Sequence, residues 1–354
     1  PKSYSKDYPV MVATFSVADV ILILADTYYN GSSNYQTKSE SELAKICDEY
    51  KERYQSCPRV IRPLISADDI LDMKEYFLKQ INNAQVFNHS PFFDHLAMVI
   101  EHVPVDDYPK IFSELWYNDE NMTRLFVKLF GILSQFGFAR HISLPIESVV
   151  HEGVEEKTIM SVQCLNQLFD DSSPYATDAY VKDGEGMRCC ATGVPKSHIC
   201  AVCAEVVFKI EDDFLDSSGS YCMDDIDPGV AARLNHGQVS MSMFRKNDLL
   251  DFPGAQARLN VEVGKFSDNF MIIQCFLLGK VAYLFNKYNM DSSINVLLYC
   301  HHNQDNDVTS LYKLLEDWVE EYVGRTPDER RRKLELTKVS PLFYIGTMFN
   351  LDMK

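Results

Sequence analysis

Six residues in one stretch have the chemistry of metal ligands: Cys189, Cys190, His198, Cys200, Cys203 and Cys222. Zinc wants four thiolate or imidazole ligands, and a C-x-x-C pair is the usual half-site. The one C-x-x-C lies in HICAVCAEVVF, which reads as an apolar helix over His198 to Phe214. Cysteines three apart on such a helix share a buried face, and no second C-x-x-C pairs with them. The expectation is therefore no bound metal and no cofactor. His301-His302 follow Cys300 and could supply a ligand or a base. Adjacent histidines seldom point the same way, so a solvated turn is the plainer reading. His151-Glu152 opens like H-E-x-x-H, but Glu155 stands where the second histidine belongs.

Other catalytic signatures are missing. The carboxylate pairs Asp68-Asp69 and Asp106-Asp107 fall near helix starts, where the macrodipole favours negative charge. Gly184-x-Gly186 lacks a third glycine, and neither a phosphate loop nor a G-x-S-x-G elbow occurs. Arg330, Arg331, Arg332 and Lys333 form the one dense basic run. A solvated helix face explains it; contact with RNA or with an acidic surface is the sharper alternative.

The elements that would position such groups read mostly as helices. Ser16 caps Val17 to Tyr29, and Ser39 with Glu42 has capping-box spacing ahead of a helix to Tyr54. Ser66 opens a third helix using Ile70, Met73, Phe77, Leu78 and Ile81, and Ser90-Pro91 opens a fourth. A short piece covers Tyr108 to Trp116, and Asn121 to Phe136 ends at Gly137. From His141 to Lys265 the texture turns loop-rich, with a helix predicted near Glu155 to Phe169. The run DNFMIIQCFLLGKVAYLFNKYN, Asp268 to Asn289, is apolar all round, which marks a buried core helix or a membrane span. Gln274, Lys280 and Asn286 interrupt it before the ~18 residues a span needs, which favours the core. Ser293 to Tyr299 is a short buried segment, strand or helix. Val308 to Val323 is amphipathic and ends at Gly324, Thr326-Pro327 caps DERRRKLEL, and the apolar tail PLFYIGTMFN should dock on its own core or on a neighbour.

Composition bounds the rest. With 46% apolar and 24% charged residues, the 354-residue chain is that of an ordinary folded protein. Its start, PKSYSKDYPV, has no charged region followed by an apolar one, so no secretory signal is expected and the ten cysteines read as reduced, mostly buried thiols. A formal charge of −17 opposes tight binding to nucleic acid or anionic lipid. There are 19 Tyr and 21 Phe against 2 Trp, and Tyr4, Tyr8, Tyr35, Tyr175, Tyr180 and Tyr221 lie in loop-like stretches; Tyr175, Tyr180 and Tyr221, with Phe343 and Tyr344 of the tail, are the candidate interface residues.

The opening PVMVATFSVADVILILADTYYN, with helical halves around a loop-rich insert, resembles the coat proteins of small double-stranded RNA viruses, the partitiviruses and their relatives. The resemblance implies a mainly α protein: a helical shell domain, 1–140 and 266–354, and a loop-rich protruding contact subdomain, 141–265. It implies homodimers assembling into a closed icosahedral shell in the host cytoplasm. The enclosed double-stranded RNA would be weakly held, with no membrane partner and no enzyme activity. The runner-up is a cytoplasmic α-helical adaptor with a structural zinc at Cys189 to Cys203. The least favoured reading is an enzyme with a site around His301-His302.

Overall fold

The computed structural model describes residues 10–81, 83–149, 158–159, 161–170, 176–184, 186–207, 262–290, 294, 296–302, 315–316 and 318–347. Over these residues the protein is mainly α, with a small antiparallel sheet. Strand β1 (Val10–Thr14) leads into α1 (Val17–Asn30), α2 (Glu40–Tyr54), α3 (Ala67–Gln80), α4 (Val86–His89), α5 (Phe92–Val99), α6 (Tyr108–Phe112) and α7 (Glu120–Gln135). Then come β2 (His141–Leu144), α8 (Val162–Leu165), β3 (Ala176–Asp183), β4 (Gly186–Pro195), α9 (Lys196–Val202) and β5 (Cys203–Val207). The last elements are α10 (Asn269–Met290), β6 (Leu297–His302), α11 (Pro327–Thr337) and β7 (Leu342–Thr347).

The helix starts follow from their caps. Ser16, Ser39, Ser66 and Thr326 each close a full capping box with the acidic residue three positions on: Asp19, Glu42, Asp69 and Glu329. Each box satisfies two backbone donors that an open helix end would leave without partners. Asp119 caps α7, and the chain leaves that helix through Gly137 and Phe138, both left-handed, which turns it sharply into β2.

The helix most enclosed by protein is α1, not α10. Twelve of its residues are buried, from Val17 and Asp19 through Tyr29, and it packs against α10, α7 and α3. Helix α10 buries one face, Ile272, Ile273, Phe276, Gly279 and Tyr283 among them, while Leu277, Leu278, Val281 and Phe285 are half-buried and Phe270 is 56% exposed. Its apolar circumference hid that asymmetry from a reading of the sequence. By length and composition α10 is long and apolar enough to cross a membrane, and the described core uses it as a packing helix. Two aromatic clusters fill the helical layer. Phe77, Phe87, Phe92 and Phe93 meet edge-on beneath α3 and α5, and Tyr35, expected in an open loop, turns its ring onto Tyr29. Leu78, expected on the buried stripe of α3, is exposed.

The sheet runs β4-β3-β2-β1-β5, all antiparallel. Among its described residues the segment read as loop-rich supplies β2, β3, β4 and β5, and β1, from much earlier in the sequence, lies between β2 and β5. Over its described residues the helix predicted from His198 to Phe214 is instead the short α9 followed by β5, because CAEVV pairs with β1, and residues 208–214 lie outside the described residues. Of the helix predicted over Glu155 to Phe169, residues 150–157 lie outside the described residues, and Val162–Leu165 is its helical part. His301 and His302 are in β6, not a turn; β6 pairs in parallel with β7, which is how the apolar tail docks. Residues 308–314 and 317 of the predicted helix over Val308 to Val323 lie outside the described residues, and Val319–Val323 forms a π-helical turn that ends at Gly324.

Candidate functional site

The sequence's own candidates scatter. Cys189 and Cys190 lie on β4, the first exposed and the second half-buried. His198, Cys200 and Cys203 are buried on α9 and at the start of β5. Burial raises the thiols of Cys190 and Cys200 and pushes Cys203 up to about 11, whereas a metal ligand needs a ready thiolate. Among the described residues no group of three or more His, Cys, Asp or Glu is placed to hold a metal. Cys222, Tyr175 and Tyr221 lie outside the described residues. Phe343 is exposed on β7, and the backbone of Tyr344 pairs with Tyr299. Arg330 donates to the Gly324 carbonyl oxygen, Arg331 faces Asp328 at 3.8 Å, and Arg332 and Lys333 are exposed on the same helix. His301 and His302 are consecutive residues of β6.

A different set converges where the N-terminus of α1, the end of the sheet and α10 meet. Asp19, the acidic half of the α1 capping box, is only 8% exposed at its side chain. One oxygen accepts from the Ser16 N–H at 2.7 Å and faces Arg140 at 3.5 Å. The other accepts from Lys287 Nζ at 2.8 Å and from the Tyr283 hydroxyl. Tyr283 and Lys287 are four residues apart on α10, hence on one face. Arg140 is held by the turn after α7: the Thr14 N–H donates to its carbonyl at 2.9 Å, and the Thr14 hydroxyl donates to the Ala139 carbonyl. Tyr288, the residue after Lys287 on α10, donates its hydroxyl to Glu205 of β5.

The electrostatics follow from this geometry. Burial pushes the Asp19 carboxyl up, but the Lys287 charge and the hydrogen bonds from Lys287, Tyr283 and Ser16 outweigh it and hold the group below its ordinary range. Burial, then the Asp19 charge, raise Tyr283 well above the usual phenol value. Tyr283 also stacks at 5.4 Å on Tyr76, whose hydroxyl donates to Asp26. A polar seam thus runs through the apolar core between α1, α3 and α10. Its outer end opens into a cleft of about 240 Å³ lined by Thr14, Phe15, Asp19, Arg140, His141, Glu205, Val207, Leu284, Lys287 and Tyr288.

The cleft continues onto the outer face of the sheet. The register places Cys189, Tyr180, Ser143, Met11 and Val207 in one cross-strand row over all five strands, and residues directly opposite share a face. Met11 is 40% and Val207 37% exposed. Lys182 and Met187, one step along, share that face. Sequence reasoning marked Tyr180 and Cys189 but missed Met11, Val207 and the whole Asp19 cluster. The one local signal was Asp19 three residues after Ser16, with Tyr283 and Lys287 at helical spacing.

This mainly α fold, with a charged cleft beside an open sheet face, can be placed by comparison with known proteins. The family model "Putative bacterial virulence factor" matches residues 1–239 and 233–354, so the chain belongs to that family. No curated protein and no solved structure matches it. Membership overturns the coat-protein expectation, with its virion, icosahedral shell and host-cytoplasm location: the family is bacterial. The layout that carried the resemblance, one apolar helix and a loop-rich insert, is not specific to shells. Part of the insert is moreover a sheet built around the N-terminal strand.

Proposed function

We propose that this chain is a binding module that docks a partner protein on the outer face of its five-stranded sheet, without catalysing a reaction. The observation that carries this is the cross-strand row from Cys189 to Val207. A sheet packed on helices along one face normally turns polar residues to water on the other. Here the outward positions include Met11, Met187, Tyr180 and Val207, the residue types of a contact surface. In this reading the helical body, 1–140 and 266–354, is the support, and 141–265 supplies most of the docking side through β2 to β5.

The chemistry of the cleft favours binding over turnover. A general base needs an available lone pair and a pKa near working pH. Asp19 has its oxygens engaged by protein donors and sits below the ordinary range, and Tyr283 is held far above it.

The test is site-specific photo-crosslinking in bacterial cells, with the crosslinker at Val207 on the face and at Leu336 on α11 as a control. The expected result is one discrete adduct from Val207, lost when Tyr180→Glu is added in a chain whose circular dichroism is unchanged. Equal products from Leu336, or an adduct indifferent to Tyr180→Glu, would remove the docking face.

A further inference from the structure

We infer that the cleft between Arg140, Lys287 and Glu205 binds a small zwitterion: an α-amino acid with an apolar side chain. The cleft holds two cations and two carboxylates, yet these are not equivalent. Asp19 is buried at the back, its two oxygens held by Ser16, Tyr283, Lys287 and Arg140. Its charge is spent on the protein. Arg140 and Lys287 are 55% and 37% exposed at their side chains. A guanidinium has five N–H donors and an ammonium three, so each has donors beyond those given to Asp19. They form the wall that accepts a carboxylate. Glu205, which also lines the cleft, accepts one bond from Tyr288, and a carboxylate has room for several. It accepts an ammonium.

Charges of opposite sign lining one cleft favour a ligand that carries both, because a singly charged ligand leaves groups of the other sign desolvated without a partner. Phe15, Leu284 and Val207 supply an apolar wall for a side chain. Size sets the upper bound. About 240 Å³ is below the roughly 300–1,000 Å³ of pockets that enclose drug-sized ligands. A single amino acid fits, and a nucleotide or a long peptide does not. The inference does not depend on docking at the sheet face, since Tyr180 and Cys189 do not line the cleft.

The experiment is calorimetric titration and thermal melting of the full chain with leucine, and with its two singly charged halves, 4-methylpentanoate and isoamylamine. Leucine is expected to bind and to raise the melting midpoint, and each half to bind at least about tenfold more weakly, the scale of one lost charge-assisted contact. Glu205→Gln and Arg140→Met should each weaken leucine about tenfold or more, with Arg140→Lys restoring part of the loss. Glu205→Gln is isosteric, so it tests the site even if Arg140→Met fails to fold. No binding of leucine overturns the assignment. So does 4-methylpentanoate binding as well as leucine with Glu205→Gln silent, which would mark a plain anion site.

Discussion

Gly279 of α10 lies directly against Thr27 of α1. A Cβ at Gly279 would fall inside contact distance of the Thr27 hydroxyl oxygen and 3.2 Å from the Ile23 carbonyl oxygen. The Thr27 hydroxyl is tied back to that same carbonyl at 2.7 Å, so the pair has no easy way to move aside. The closest approach of the two central helices is therefore built on the absence of one methyl group.

Gly279→Ala should destabilise the fold by up to about 2 kcal/mol. Helix propensity favours alanine by about 1 kcal/mol, and overpacking a tight site costs about 1–3 kcal/mol. Gly131 in α7 is the control, because a Cβ there meets nothing within 4 Å. Gly131→Ala should stabilise by about 0.5–1 kcal/mol. Denaturant midpoints of the two variants should move in opposite directions; a shift of the same sign would mean that α1 and α10 do not cross so closely.

Neighbouring residues on α10 should differ sharply. Phe276 is fully buried, and Phe276→Ala should cost about 3–5 kcal/mol. Leu277 is half-buried, so Leu277→Ala should cost clearly less, about 1–2 kcal/mol. Equal losses in chemical denaturation would show that α10 is enclosed on every side.

Asp19 should impose a pH dependence on stability. Its folded pKa is depressed below the ordinary 3.8. Such a group contributes fully above its unfolded pKa and loses that contribution as pH falls through the folded value. Asp19→Asn should be less stable than the parent at pH 7, and the gap should narrow below about pH 4. Urea melts at pH 7 and pH 3 would read it, and a constant gap would mean that the carboxylate is not favoured by the fold.

Thiol reactivity should sort by position. Cys189 is exposed, while burial pushes Cys47 up to about 12 and Cys203 to about 11. Maleimide labelling at pH 7 followed by peptide mass mapping should modify Cys189 in the native protein, and Cys47, Cys200 and Cys203 only after unfolding. Rapid native labelling of Cys203 would place it in solvent, contrary to its site at the start of β5.

Helices α1, α2 and α3 were legible because their starts are chemically marked. Ser39-Glu42 and Ser66-Asp69 are local signals, complete within four residues. The sheet was not legible for the opposite reason. ATDAYVKD and GMRCCATGVP carry turn-forming residues and no sustained alternation, so periodicity has little to register. CAEVV reads as helix after HICAV because a short apolar run is ambiguous until its partner is known, and its partner, β1, lies at the other end of the chain. The cleft was invisible for a related reason: Asp19, Arg140, Glu205 and Lys287 come from four separate segments, and none carries a motif alone.

The position of β1 between β2 and β5 has a consequence during synthesis. When β1 and α1 leave the ribosome, neither β5, which later pairs with β1, nor α10, which later packs on α1, has been made. At about 5–20 residues per second, the wait from Asn30 to Met290 is on the order of tens of seconds. Throughout it the nascent chain carries Ile23, Thr27 and Asp19 on a surface without its mate. Closure is an event of high contact order and comes late. Helix α1 is translated long before the elements that complete its surroundings and is among the last to reach its final environment.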